Sequence, residues 1–446
     1  MAKTFYIISL GCAKNSVDSR SMAELLIHAS YTEVEDTQQA QNLIVNTCGF
    51  IHPATQESLK VLRDLAKNKT QNQRLIAAGC LSQREKNQLA AQVPGIDALL
   101  GTRRWMDILS VLRQLDQFPF TPYYHFPSTP MMGDDPPGIL RSAVQGASAY
   151  IKIADGCDHP CVFCAIPLIK GPMRSRPIES ILEDVCALQE MDVKEINLIA
   201  QDTSAYGRDL GLQEGLSHLL QQILQAAPTI PWLRILYTFP GEISPTLIET
   251  MASNDRILPY IDMPLQHAHP RVLRSMRRPA DMEWVHHIID ALRRVMPNVA
   301  LRTTFIVGFP GENEQEFNAL MDFAADVQFD RMGVFPYYHE QGTAAFDLMD
   351  DVLEEVKQER LQRLAEQQEQ ISLQKNQYWV GKDVEVLIEG AQEGMSVGRS
   401  FRDAPEIDGL VIVQQEFPVG ELMKVRVIEA LVHDLVAKPT KPLHNA

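Results

Sequence analysis

The sequence predicts an α/β protein with three domains: an N-terminal parallel α/β sheet, a central α/β barrel, full or partial, and a small C-terminal β-barrel. Its 446 residues suit about three domains. Short apolar runs alternate with helical patterns over most of the chain, a proline-rich stretch interrupts this alternation, and short β patterns replace it near the end. We expect a first domain over 1–117, a linker over 118–142, a barrel over 143–377 and a last domain over 378–446.

The N-terminal sheet is predicted from the runs YIISL, NLIVNT and RLIAAG, with helical patterns between them. A cysteine follows each run, at Cys12, Cys48 and Cys80. Because parallel strands end at one edge of a sheet, where open α/β sheets bind ligands, we expect the three thiols to lie together there. The alternative is that all three are buried structural cysteines, the commonest environment of a free cysteine.

The linker, the barrel and the last domain follow from changes in pattern. The stretch from Phe118 to Gly138 has six prolines and no helical or strand period, which indicates an extended connector. Repeated strand and helix patterns then predict an α/β barrel, whose functional residues gather at the carboxyl ends of its strands. The polar run DDVLEEVKQERLQRLAEQQEQISLQKNQ predicts a long exposed helix, and KDVEVLIEG, GLVIVQQ and ELMKVRVIEALVHDLVA predict the small barrel.

Composition and charge narrow the class of protein. Hydrophobic residues make up 45% of the chain and the formal net charge is −16. The start, MAKTFYIISLGCAKN, lacks the features of a secretory signal, and nowhere is there an apolar run of roughly 18 residues that could span a membrane. We therefore expect a cytoplasmic protein whose seven cysteines serve as metal ligands or redox groups. The acidic balance favours a basic protein partner over a phosphate backbone.

Three further cysteines have a spacing that is typical of a metal centre. Cys157, Cys161 and Cys164 follow the first barrel strand in a C-x3-C-x2-C arrangement. Three thiolates in one short loop can bind three irons of a cubane cluster and leave the fourth iron open, as chelation of S-adenosylmethionine would require. A structural zinc site would need a fourth ligand, and His159 is poorly placed to provide it. Cys186 falls on the apolar side of a helical pattern and is expected to be structural.

This spacing, with Phe163 before the last cysteine and a strand before the first, resembles the radical S-adenosylmethionine superfamily. The resemblance implies a 4Fe-4S cluster on these three cysteines, which generates a deoxyadenosyl radical. Cys12, Cys48 and Cys80 ahead of the motif resemble the methylthiotransferases, in which three such cysteines bind a second, auxiliary 4Fe-4S cluster that carries sulfur. The implied cofactors are thus two 4Fe-4S clusters and S-adenosylmethionine. The implied S-adenosylmethionine pocket includes four residues: Gln201, Asp202, Arg302 and Gly308. A tight turn would explain Gly308 equally well.

Within that family the strings SLGCAKNSVDSR, VNTCGFIHPATQES and GRSFRDAPEIDG resemble the RimO type, over nearly the whole chain. This chain departs from the family pattern at two positions: Ala13 stands where a proline is usual, and Asn313 stands where a threonine often follows the GFPGE string. The resemblance implies transfer of a methylthio group to the β-carbon of an aspartate in the twelfth protein of the small ribosomal subunit. One alternative is the MiaB type, which modifies a tRNA adenosine. Another is a non-catalytic iron-sulfur electron carrier or RNA-associated protein.

The C-terminal segment bears on the choice of partner. It resembles a TRAM domain, and from Tyr378 to Ala446 it contains seven Lys and Arg against eleven Asp and Glu. Binding RNA would require a cationic face, whereas an acidic face is electrostatically complementary to a basic small-subunit ribosomal protein. Asp403, Glu406 and Asp408 are candidates for that face, or are ordinary solvated turn residues. In the string RSMRRP, three arginines could meet the acidic target residue or form a surface basic patch: Arg274, Arg277 and Arg278. A reductant such as flavodoxin or ferredoxin and a sulfur donor are further implied partners.

Overall fold

The computed structural model describes residues 3–118, 122–127 and 136–440. Its first six strands form one parallel sheet: β1 (Thr4–Ser9), β2 (Thr32–Glu33), β3 (Asn42–Thr47), β4 (Arg74–Ala78), β5 (Ala98–Gly101) and β6 (Tyr123–His125). The helices of this part are α1 (Ala13–His28), α2 (His52–Asn68), α3 (Gly79–Glu85), α4 (Asn87–Gln92) and α5 (Ile108–Gln117). The strand order is β2-β1-β3-β4-β5-β6. The apolar strand β3 is buried along its whole length, as expected for a central strand with both faces covered.

The strand β6 lies in the stretch for which the sequence predicts a linker. It pairs in parallel with β5, Tyr123 opposite Ala98, and so extends the N-terminal sheet by one strand. The expectation of an extended connector was therefore wrong for these three residues, because a strand this short shows no periodicity. Residues 119–121 and 128–135 of the same stretch lie outside the described part of the chain. The predicted domain boundaries stay a prediction.

The central part of the chain is a partial α/β barrel. Its strands are β7 (Ser142–Gln145), β8 (Ser148–Lys152), β9 (Ala154–Asp155), β10 (Arg174–Ser175), β11 (Glu195–Ile199), β12 (Trp232–Ile235), β13 (Tyr260–Asp262), β14 (Ala300–Val307) and β15 (Arg331–Pro336). The parallel strands β8, β11 and β12 form one sheet and β13, β14 and β15 another, with a bridge between Leu233 and Ile257 where the two meet. The antiparallel strand β7 occupies the other edge of β8, so the barrel stays open there.

Helices connect and cover these strands, and in the described part of the chain they are α6 (Ile166–Ile169), α7 (Ile178–Glu190), α8 (Gly215–Ala226), α9 (Pro245–Ala252), α10 (Pro270–Ser275), α11 (Met282–Val295), α12 (Glu314–Val327) and α13 (Glu354–Gln377). The long helix α13 is less exposed than its polar sequence suggests, since Arg360 and Gln368 are buried and bond to Glu312 and to the Phe329 carbonyl. None of the helices in the described ranges has the length and apolar character that a bilayer-spanning segment requires.

Cys186 on α7 is exposed, so the expectation that it lies on the apolar side of the helix was wrong. The buried face of α7 carries Ile181, Val185 and Leu188, which are spaced four and three residues apart. The next residue after Val185 is rotated by about 100° around the helix axis, which turns the Cys186 thiol toward solvent.

The C-terminal part is a small closed barrel. Its strands are β16 (Asp383–Gln392), β17 (Met395–Ser400), β18 (Val411–Val413), β19 (Leu422–Ala430) and β20 (Leu435–Pro439). They close in the order β16-β17-β18-β20-β19. Valines at alternate positions fill the interior, for example Val384 and Val386 on β16 and Val425 and Val427 on β19. This is the strand periodicity from which the sequence predicts the barrel.

The loop after β17 joins this barrel to the central part through buried charges. Asp403 is 1% exposed and accepts a hydrogen bond from Arg331 at 2.5 Å. The side chain of Asp408 is also 1% exposed and accepts a hydrogen bond from the Tyr260 hydroxyl at 2.6 Å. The expectation that these carboxylates form an acidic docking face was therefore wrong. Of the three candidates only Glu406 is exposed, because the other two are paired across the interface.

A second buried charge group at this interface predicts acid sensitivity. Glu195 on β11 is fully buried and binds Arg234 at 2.8 Å and Arg399 of the C-terminal barrel at 2.5 Å. Burial raises its pKa, but the two guanidinium groups outweigh that effect and lower the pKa from 4.5 to about 2. Because the pKa of the folded state is depressed, this stabilisation is complete above the unfolded value and is lost as pH falls from about 4.5 towards 2.

We expect the free energy of unfolding to fall by about 2 kcal/mol through this group between pH 7 and pH 3, measured by denaturant titration. Glu195→Gln should be less stable at pH 7 and should lose less stability on acidification. Glu406→Gln, a change of an exposed carboxylate, is the matched control. Identical pH profiles for wild type and Glu195→Gln would contradict the assignment.

Candidate active site

The three N-terminal cysteines lie at one edge of the parallel sheet. Cys12 follows β1 and is the residue before α1, Cys48 follows β3, and Cys80 follows β4 as the second residue of α3. Since β1, β3 and β4 are neighbours in the sheet, their carboxyl ends bring the three thiols to the same cavity. Cys48 and Cys80 are each 8% exposed.

Glycine at position 11 allows two of these cysteines to approach each other. Gly11 has φ +91°, a conformation that other residues rarely adopt. A Cβ atom there would lie 2.7 Å from Cys48 Cβ and 2.9 Å from Cys48 Sγ. A side chain at this position would therefore displace the Cys48 thiol.

We expect Gly11→Ala to reduce the iron content of the anaerobically reconstituted protein by about half, from about eight to about four irons per chain. The physical reason is that the new methyl group overlaps Cys48 and moves it away from the other two thiols. Gly146→Ala is the matched control, because Gly146 also has a positive φ, +58°, but a Cβ there would meet nothing within 4 Å. An unchanged iron content in Gly11→Ala would contradict this interpretation of the site.

The second triad lies in the loop between β9 and α6. Gly156 starts this loop with φ +78°, and a Cβ there would lie 2.1 Å from the Pro172 carbonyl oxygen. The Cys157 amide donates to the Gly171 carbonyl at 3.1 Å, and the Cys164 amide donates to the Cys161 carbonyl at 3.1 Å. These backbone contacts fold the loop so that all three cysteines line the cavity.

Both triads line one cavity of about 480 Å³ between the N-terminal sheet and the partial barrel. Its walls include residues that sequence reasoning missed: Lys14, Lys170, Tyr237, Phe239 and Asp262. Lys14 is two residues from Cys12, and Tyr237 and Phe239 follow the end of β12, where an α/β barrel places functional residues. Closeness to Cys12, or a position just after a barrel strand, was the sequence signal that could have identified these three residues. Lys170 could be found only from the structure, because nothing in its neighbourhood in sequence marks it.

The chemistry of the six thiols fits two sulfur-ligated clusters. Burial raises the pKa of Cys80 and of Cys164 to about 12 and that of Cys157 to about 11. Thiols in such surroundings bind as thiolates when a metal supplies the compensating positive charge. Each group offers three sulfurs, the set that a cubane cluster with one open iron uses. Among the described residues, no three or more Cys, His, Asp or Glu side chains are spaced for a single metal ion.

His159 contacts Asp202 and Phe239 and does not act as a fourth ligand of the cysteine loop. Its Nε2 lies 2.6 Å from Asp202 Oδ2, and its ring stacks on Phe239 with 3.5 Å between centroids. Asp202 in turn accepts a hydrogen bond from the Ser204 amide at 2.9 Å. These contacts fix the loop that carries the second triad against the end of β11.

The four residues expected in the S-adenosylmethionine pocket divide into two pairs. Gln201 and Arg302 line the cavity, and Arg302 pairs with Asp262 at 2.9 Å. Asp202 stands behind the wall as the partner of His159, and Gly308 does not line the cavity. The Gly308 amide donates to Glu312 at 3.0 Å, and a Cβ at Gly308, φ +72°, would lie 2.3 Å from Lys357 Cγ. A tight turn after β14 thus accounts for this glycine.

Comparison with known proteins agrees with this architecture part by part. Residues 4–101 match the model of the uncharacterized protein family UPF0004, residues 151–324 match the radical SAM superfamily, and residues 380–439 match the TRAM domain. The solved structure of TsrM, a radical S-adenosylmethionine methyltransferase from Kitasatospora setae, is similar over 75% of each chain with a TM-score of 0.55 at 12% identity. That likeness concerns the fold.

The fold and the cysteine loop define a radical SAM enzyme with an additional N-terminal cysteine-bearing sheet and a TRAM barrel. The ribosomal protein uS12 methylthiotransferase RimO of Chloroflexus aurantiacus is 45% identical over 97% of this chain and 98% of its own length. The RimO of Synechocystis sp. is 41% identical over 97% and 96%. The chain belongs to the RimO family of methylthiotransferases.

Proposed function

We propose that the chain adds a methylthio group to ribosomal protein uS12, at the β-carbon of an aspartate, and that it holds two 4Fe-4S clusters to do so. Membership of the family supports the reaction class and the ribosomal protein substrate. The observation that carries the two-cluster proposal is the single cavity of about 480 Å³ that both cysteine triads line. S-adenosylmethionine would enter the same cavity.

Cys157, Cys161 and Cys164 would hold one cluster and Cys12, Cys48 and Cys80 the other. When bound, the first would supply the electron for reductive cleavage of S-adenosylmethionine and the second the sulfur that is transferred. The contribution of the chain is to place both sites on one cavity and to keep water and stray hydrogen donors away from the reacting carbon. Phe50, Phe163 and Phe335 form part of the wall and serve that exclusion.

Gln201 and Arg302 are the residues we assign to S-adenosylmethionine, because both line the cavity, Gln201 from just after the end of β11 and Arg302 from within β14. Asp202 would act indirectly through His159, which it holds at 2.6 Å. Gly308 would act only by shaping the turn after β14. A reductant of the flavodoxin or ferredoxin kind and a separate sulfur donor complete the proposal.

The test is incubation of the anaerobically reconstituted chain with S-adenosylmethionine, a reductant, a sulfide source and purified uS12. Mass analysis of uS12 should find one methylthio group in place of one hydrogen on an aspartate, and 5′-deoxyadenosine should form. Total tRNA is the parallel substrate. A methylthio mark on a tRNA nucleoside with uS12 unchanged would favour the MiaB type of reaction, and absence of 5′-deoxyadenosine would favour a non-catalytic iron-sulfur protein.

A further inference from the structure

The cavity wall has an unusual charge balance for an acidic protein. The described wall contains four lysines and arginines, Lys14, Lys170, Arg278 and Arg302, and one carboxylate, Asp262. The chain as a whole has a formal net charge of −16. Cations concentrated in one cleft attract anionic groups, and the low-dielectric wall strengthens that attraction.

Two of the four cations are already neutralised by carboxylates. Lys170 Nζ lies 3.1 Å from Asp18 and 3.3 Å from Asp155. Burial favours its neutral form, but these two carboxylates outweigh that effect and raise the pKa of Lys170. Arg302 lies 2.9 Å from Asp262 and 3.4 Å from Asp408. The charge of each of these two side chains is therefore already balanced by carboxylates of the chain.

Lys14 and Arg278 are held differently. Lys14 Nζ lies over the Tyr237 ring, 3.2 Å from its centroid, and the Arg278 guanidinium lies over the Phe239 ring at 4.2 Å. Within the described ranges no ion pair joins a carboxylate to either group, and Asp262, the carboxylate of the described wall, pairs with Arg302 instead. A cation–π contact attracts the cation to the ring face but leaves its positive charge in place. Both cations therefore lie on rings of one loop, two residues apart, without a carboxylate partner among the described residues.

Arg278 has a hydrogen-bond donor to spare. Its Nη2 donates to the Pro264 carbonyl, its Nη1 lies 3.8 Å from Cys161 Sγ, and its Nε is buried with no partner. A buried donor without an acceptor destabilises the protein, and an incoming acceptor would relieve that cost. The neighbouring arginines of the same string, Arg274 and Arg277, are exposed. Only Arg278 of the three reaches the cavity.

We propose that Lys14 and Arg278 form the receptor for the carboxylate of the target aspartate and so select an acidic side chain as substrate. The inference rests on the proposed function, since it concerns the substrate of that reaction. Lys14 lies on α1 of the N-terminal part and Arg278 belongs to the partial barrel, so the carboxylate would be bound where the two parts meet. Two cations on opposite parts hold the aspartate between the two cysteine triads and present its β-carbon to the cavity. A neutral nucleobase would form no ion pair with Lys14 or Arg278.

The test compares binding of uS12 with binding of a uS12 variant whose target aspartate is replaced by asparagine, using labelled protein and fluorescence anisotropy. The chain is loaded with iron and sulfide and S-adenosylmethionine is present. Wild type should bind the aspartate form about tenfold more tightly or better, the ratio expected for a charge-assisted hydrogen bond. In Arg278→Met and in Lys14→Met that ratio should fall to near one. Arg278→Lys, which keeps the charge, should restore part of it, and Arg274→Met is the matched control with the wild-type ratio.

The outcomes separate the inference from the function on which it rests. If wild type modifies uS12 but both methionine variants keep the full aspartate preference, the inference is overturned and the function stands. A loss of affinity for S-adenosylmethionine, with the aspartate preference intact, would instead make Arg278 a cofactor ligand and would also overturn it. Failure of wild type to modify uS12 at all would overturn both. Thermal unfolding of each variant checks that the fold is retained.

Discussion

Replacing Cys161 by alanine is expected to abolish formation of 5′-deoxyadenosine from S-adenosylmethionine and to remove about four irons per chain. Cys161 lies in the loop whose three cysteines line the cavity, and its sulfur lies 3.8 Å from Arg278 Nη1. Two thiolates do not suffice for a cluster that takes three protein ligands, because the methyl group of alanine offers no donor in place of the sulfur. The measurements are product analysis by chromatography and iron counting after anaerobic reconstitution.

Cys48→Ala should produce a contrasting pattern. It should also lose about four irons, but 5′-deoxyadenosine should still form while uS12 stays unmodified. Cys186→Ala, on the exposed surface of α7, is the matched control and should leave both iron content and products unchanged. If Cys48→Ala transferred a methylthio group at the wild-type rate, the N-terminal triad would have no part in the reaction. If Cys161→Ala still produced 5′-deoxyadenosine, the assignment of the radical centre would be wrong.

Asp18→Asn is expected to destabilise the protein by about 3–5 kcal/mol, because it breaks a buried charge group in which Asp155 alone would then have to compensate Lys152 and Lys170. Asp18 on α1 is 1% exposed and binds Arg141 at 2.7 Å, Lys170 at 3.1 Å and Lys152. The carboxylate belongs to the N-terminal part and its three partners to the central part, so the group joins the two. Burial raises the pKa of Asp18, but the partners outweigh it and hold the pKa well below its usual value.

Denaturant unfolding of the cluster-free protein at pH 7 measures this effect without any contribution from metal. Asp64→Asn is the matched control, an exposed aspartate on α2 of the same sheet domain, and should change stability by less than about 0.5 kcal/mol. The Asp18 variant should also lose cluster from the N-terminal triad, since Lys170 lines the cavity and contacts Asp18. A stability equal to that of the control would show that the buried charges only balance their own desolvation.

Some features of the fold depended only on local pattern. The runs before Cys12, Cys48 and Cys80 are strands. A short apolar stretch bounded by polar residues is typical of a strand in a parallel sheet, because both faces of such a sheet are covered. Strand order then places all three residues at one edge. The C-x3-C-x2-C loop is likewise local, since its three sulfurs lie within eight residues. Both groups of cysteines could therefore be located from the order of the amino acids alone.

Other features depended on contacts between residues distant in sequence. The strand β6 exists because β5 offers a free edge, and three residues have no pattern of their own. Asp403 and Asp408 resemble solvated acids in sequence, yet Arg331 and Tyr260 bury them at an interface of the C-terminal barrel. The identity of a residue defines its charge and says little about its partner.

Periodicity within short segments predicted the strands and helices of each part, spacing predicted the cysteine loop, and the class of enzyme followed from the resemblance of these strings to a known family. No sequence pattern indicated that both triads line one cavity, or that Lys14 and Arg278 line it without a carboxylate partner among the described residues; the packed structure shows both. The physical reason is that a cavity and its charge balance are properties of surfaces brought together by packing, whereas a strand or a ligand loop is a property of consecutive residues.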